Sequence, residues 1–199
     1  MKELIENNKR REGPIINFSN QERLNEHINF DKIGANKIND YFWRSEIRPI
    51  QFKKSQKGTV QEKYLNKAIS LLELFRSKKL SVNEVFDLDQ FAKLMAIRAV
   101  FGSTEFDVDD MKFYYNPISN LLEPISKEIH SEADRFVSGF NPWVFKSDNL
   151  RYPWQKSFLD LLYNDQIFYE KYLFELNNYS SKEFIANIIE DNKVEFDDL

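Results

Sequence analysis

Residues 91–101 read Phe-Ala-Lys-Leu-Met-Ala-Ile-Arg-Ala-Val-Phe, apolar at every position except Lys93 and Arg98. A helix that is apolar on most of its sides has to be enclosed by protein. This segment is therefore expected to be the central element, with the rest of the chain packed around it. Asp87 or Asp89 can accept the free amide bonds at its start, and Gly102 can end it in a left-handed cap at no steric cost. There is material to enclose it: 42% of the 199 residues are hydrophobic, among them 18 Phe, 9 Tyr and 3 Trp. With only 5 Gly and 6 Pro, collagen-like, linker-like and low-complexity readings fail. The length suits one ordinary domain.

From Val60 to about Lys79, Leu65, Ala68, Leu72 and Phe75 recur at helical spacing and mark the inward stripe of an amphipathic helix. Ahead of it, Gly13-Pro14 breaks a helix-like start with a basic Lys9-Arg10-Arg11 end, and Ile15-Ile16-Asn17-Phe18 reads as one short strand. Residues 19 to 57 have no regular period; Tyr41, Phe42 and Trp43 are the anchors there. Lys112-Phe113-Tyr114-Tyr115 and Leu121-Leu122-Glu123 read as two strands, and the Asn116-Pro117-Ile118-Ser119 stretch between them has turn chemistry, so a β-hairpin is expected. A loop with Gly139, Asn141 and Pro142 leads to further helices, with Phe158, Leu161, Leu162, Phe168, Tyr172 and Leu176 inward. A last helix is expected to start at Ser180, with a capping box to Glu183, and to bury Phe184, Ile188 and Ile189. The expected fold is mainly α with a small β-hairpin.

Several function classes drop out. Twenty-eight basic against 32 acidic side chains leave a net charge of -4, which provides no electrostatic basis for nucleic acid. With no Cys, thiolate nucleophiles and Cys-type zinc sites are impossible, and His27 and His130 are too few for a His-rich metal site. No run approaches the roughly 18 apolar residues of a membrane span. Met1 to Arg11 lacks the apolar core of a signal peptide. No Gly-rich phosphate loop is present.

The densest polar constellation flanks the hairpin, with Glu105, Asp107, Asp109 and Asp110 before it and Glu128 with His130 after it. A hairpin returns its second strand beside its first, so both flanks reach the same end. Carboxylates gathered there repel unless a cation separates them, which suits an oxygen-ligand site of the Mg²⁺ type. In the protein-kinase pattern a catalytic Asp precedes a metal-binding Asn by five positions, and a hairpin leads to a second metal-binding acid. Glu105 and Asp110 have that spacing, and Glu128 follows the hairpin. The competing reading is a solvated acidic turn, with His130 an ordinary surface or packing residue, the two aromatic clusters core rather than ligand platform, and Lys9-Arg10-Arg11 a solvated helix end.

Lys9-Arg10-Arg11-Glu12-Gly13-Pro14-Ile15, Glu84-Val85-Phe86-Asp87-Leu88, and above all Lys112-Phe113-Tyr114-Tyr115-Asn116-Pro117 followed by Leu121-Leu122-Glu123-Pro124-Ile125 resemble the CotH family. These are the spore-coat-protein-H-like atypical kinases. The likeness runs from about residue 1 to 135 and continues loosely beyond. It implies a kinase-like fold, here resembling the helical C-lobe, and ATP- and Mg²⁺-dependent phosphorylation of protein Ser residues in active members. It also implies a β-rich amino-terminal lobe ahead of Met1, so residues 1–18 would be a connector and 19–199 the helical lobe with its hairpin at about 112–125. On this resemblance Glu105 or Asp107 is the catalytic acid, and Asp110 and Glu128 are the metal ligands. Relatives are associated with the cell surface or spore coat, but no address is written in these residues.

The chain departs from the family at telling positions. Relatives carry an Asp pair in a Pro-Trp-Asp-Leu-Asp or related pattern, where this chain reads Pro124-Ile125-Ser126-Lys127-Glu128, and Asp110 stands for the metal-side Asn. A Glu carboxylate reaches one methylene further, and a misplacement of about 1 Å can cost ~100-fold in an oriented reaction. Little or no activity is expected of the chain alone, because on this resemblance half of the nucleotide clamp belongs to the amino-terminal lobe. The alternative is a catalytically dead binding module that docks a coat or envelope partner.

Overall fold

A computed structural model describes residues 12–19, 21, 41–51, 53, 56–101, 103, 111–125 and 156–193. The helix-like start at 1–11, the stop at Gly102 and the loop with Gly139, Asn141 and Pro142 lie outside the described residues. Within them the fold is mixed, with six α-helices and a four-stranded antiparallel sheet. No helix of the described residues is long and apolar enough to cross a membrane.

The chain enters through β1 (Ile15–Phe18), makes one 3₁₀ turn at Tyr41–Trp43, and continues into β2 (Ile47–Pro49). Three helices follow: α1 (Val60–Arg76), α2 (Val82–Val85) and α3 (Leu88–Val100). The hairpin strands are β3 (Lys112–Tyr115) and β4 (Leu122–Ile125), and the chain closes with α4 (Lys156–Tyr163), α5 (Gln166–Tyr179) and α6 (Lys182–Asp191).

The small hairpin expected from sequence is half of a larger sheet, ordered β2-β1-β3-β4. Ile15–Phe18 pairs on both sides, Ile16 facing Pro49 in β2 and Phe113 in β3. Three residues of β2 sit in the stretch that has no period in sequence, too short to display an alternation. Each edge carries a blunted position. Ser19 N–H to Glu46 O and Ile50 N–H to Ile15 O set the phase that turns the backbone of Ile47 and Pro49 outward, and Pro49 has no N–H to offer. On the other edge, Asp87 N–H donates to Leu122 O at 2.9 Å.

Local chemistry explains the helix ends. Thr59 Oγ1 accepts the Gln61 N–H at 3.2 Å to open α1, whose buried stripe is Leu65, Ala68, Leu72 and Phe75, as the periodicity predicts. Lys78 closes that helix in a left-handed conformation at φ 58°. Ser81 donates both its N–H and its hydroxyl to Glu84 Oε2, at 2.9 and 2.6 Å, to fix α2. Of the two expected caps of α3, Asp87 serves: its Oδ1 accepts the Gln90 N–H at 3.1 Å. Along α3, Phe91, Ala92, Met95, Ala96 and Arg98 are buried, the last at the end of a stripe no sequence pattern assigns to arginine.

The centre of the core is a knot of phenylalanines, and its hub is Phe158 on α4. That ring lies 5.7–6.4 Å from those of Phe18, Phe42, Phe75, Phe86, Phe91 and Phe113. Six rings from both strands and helices thus meet one side chain, mostly edge to face, the arrangement the ring quadrupole favours. Of the expected anchors, Phe42 is fully buried and Trp43 is 42% exposed, its indole N–H donating to Ser157 Oγ at 2.9 Å. The Tyr41 side chain lies outside the described residues. The α3 helix packs on α5 through Phe91 and Phe168, 5.7 Å apart, and through the ion pair of Asp89 with Lys171.

The last helix departs from expectation. Its cap is Ser181, which accepts the Phe184 N–H at 3.2 Å, because Ser180 is already the carboxy-terminal cap of α5. Phe184 and Ile188 are half-buried and Ile189 is 52% exposed, so the expected burial of that stripe is not found. It packs on α5, where the Tyr179 and Phe184 rings lie 4.9 Å apart.

Candidate functional site

The acidic segments flank the hairpin, whose tip is built around two asparagines. Asn116 Oδ1 accepts the Ile118 N–H at 2.9 Å, making a side-chain turn of the kind asparagine favours. Asn120 adopts φ 61°, another position asparagine tolerates, and its N–H returns to Asn116 O at 2.8 Å. Asn120 Oδ1 also accepts from the Lys67 ammonium at 2.6 Å and from the Tyr115 hydroxyl at 2.9 Å, which ties the tip to α1.

Beneath the tip, Asn116 Nδ2 donates to Glu123 Oε1 at 2.7 Å, with both side chains buried. The incoming chain seals this layer. Pro14 O accepts the Tyr115 N–H at 2.9 Å, and Gly13 lies so close that a Cβ there would sit 2.1 Å from Tyr115 O. Glycine is required at that approach for lack of space.

At the open end, Lys112 stands opposite Ile125, with Phe113 opposite Pro124. Paired Cα atoms in an antiparallel ladder are about 5 Å apart. The strand entering at Lys112 and the strand leaving at Ile125 therefore begin and end side by side. The second strand starts one residue and ends two residues later than expected, Leu122–Ile125 in place of 121–123, and the turn includes Leu121, whose carbonyl accepts the Asn116 N–H.

Glu105, Asp107, Asp110 and Glu128, the four residues assigned to catalysis and metal binding, lie outside the described residues, as do His27 and His130. Among the described residues, no group of three or more His, Asp or Glu could hold a metal ion. The fit of Mg²⁺ thus rests on side chains beyond them.

Sequence reasoning assigns no role to two buried polar groups near this region. Glu123 sits in a strand between Leu122 and Pro124, and only its burial distinguishes it from a solvated edge residue. Arg98 is buried in the last turn of α3, where a cation complements the carbonyl pole of the helix. Ser103, just beyond, donates its N–H to Arg98 O at 2.8 Å, and its buried hydroxyl has no hydrogen-bond partner among the described residues. On α4 and α5, burial holds the Tyr163 hydroxyl well above the ordinary tyrosine value, reinforced by Tyr172 and opposed by Arg98. Burial pushes Tyr172 up to about 12, with Tyr169 adding to it and the hydrogen bond with Tyr163 opposing it. Both hydroxyls are protonated at neutral pH and serve as hydrogen-bonding groups rather than as bases.

No protein-family model, curated protein or solved structure matches the chain.

Proposed function

We propose that the chain is the helical lobe of a CotH-like atypical kinase, whose phosphotransfer site gathers at the open end of the hairpin. What supports this reading above all is the pairing of Lys112 with Ile125, because it makes neighbours of the two chain ends from which the acidic segments continue. The order helix, acidic segment, hairpin, acid is the order of a kinase catalytic region. In this reading Glu105 or Asp107 would accept the proton of a substrate Ser hydroxyl as its oxygen bonds to the γ-phosphorus and the bond to the ADP oxygen breaks, and Asp110 and Glu128 would hold the cation. Mg²⁺-ATP supplies the phosphoryl group and the charge neutralisation of its oxygens.

The test is phosphate transfer from radiolabelled ATP to protein Ser by the full reading frame, wild type against Glu128→Ala. A loss of about 100-fold or more in the variant is expected, since a metal ligand is removed. Equal incorporation by both removes Glu128 from the mechanism. The Glu and Asp at positions where relatives carry Asp and Asn favour a second reading, a docking module without catalysis for a coat or envelope partner. Titration calorimetry with Mg²⁺ and ATP separates the two, because a docking module gives heat at the noise level.

A further inference from the structure

We draw no further inference here: the strongest candidate, the exposed apolar pair Ile185 and Ile189 on helix α6, is a face without a partner among the described residues, and nothing in the structure shows what covers it.

Discussion

Asn116 donates its side-chain amide to Glu123 at 2.7 Å just beneath the tip of the hairpin, and both residues are buried. One side chain thereby serves the turn above, through Oδ1, and the carboxylate below, through Nδ2. A buried acid left with an empty acceptor carries the desolvation cost of that lone pair, so the pair acts as a register pin for β3 against β4. Asn116→Ala should destabilise the protein by about 1–3 kcal/mol. Asn116→Asp should do at least as much harm, by setting a second carboxylate against Glu123. Urea unfolding of the three proteins checks both, and a neutral Asn116→Ala would mean that the turn holds without its asparagine.

Gly13 and Gly58 make a matched pair for testing space against conformation. A Cβ on Gly13 would meet Tyr115 O at 2.1 Å and the Tyr114 ring at 2.8 Å, whereas Gly58, at φ 75°, has nothing within 4 Å. Gly13→Ala should therefore cost about 1–3 kcal/mol or more, as overpacking against backbone. Gly58→Ala should cost only the left-handed strain, about 1 kcal/mol. Thermal melts of the two variants should fall in that order.

Phe158→Ala removes the ring on which six others converge and should lose about 3–5 kcal/mol. Phe174, 65% exposed on α5, should tolerate the same change within about 0.5 kcal/mol. Similar losses at both positions, measured by denaturant unfolding, would contradict the placement of the core.

Glu84 and Tyr172 give stability a pH dependence of opposite sign at the two ends of the scale. Glu84 has its carboxyl held below the ordinary value of 4.5, chiefly by the Ser81 hydroxyl and then by the Ser81 N–H. Its contribution is present above 4.5 and fades as the pH falls through the lower folded value, and Glu84→Gln should remove that acid-side dependence. Tyr172 runs the other way: with a folded value of about 12 against 10, its contribution is complete below pH 10 and is lost as the pH rises towards 12. Unfolding followed by circular dichroism should show a stability loss across that alkaline window that Tyr172→Phe diminishes. A carbon-13 titration of Glu84 reads the acid side directly.

The outer helix supplies a control. Since none of its residues is buried, Ile185→Lys and Ile189→Lys should each leave stability within about 0.5 kcal/mol of wild type. A drop of several kcal/mol would mean that the stripe is covered in solution.

Elements whose signal repeats within a few residues were legible in the chain itself. The stripe Leu65, Ala68, Leu72 and Phe75 and the turn at Asn116 depend on near neighbours in sequence, so periodicity and turn chemistry determine them, while cap chemistry narrowed the start of α3 to Asp87 or Asp89 and the fold chose Asp87. Pairing between distant segments was not legible. Three residues at Ile47–Pro49 have no period to display, and nothing in Ile15–Phe18 announces partners on both sides; the sheet forms because burying Ile16 and Phe18 obliges their backbone groups to bond across it. In the same way, only tertiary packing chose Phe158 among 18 phenylalanines as the hub and buried Glu123 in place of solvating it. Of the proposed site, the sequence determined the acidic letters and the turn between them, while the tertiary structure decided that Lys112 and Ile125 lie opposite one another, because register is a property of two strands and of neither alone.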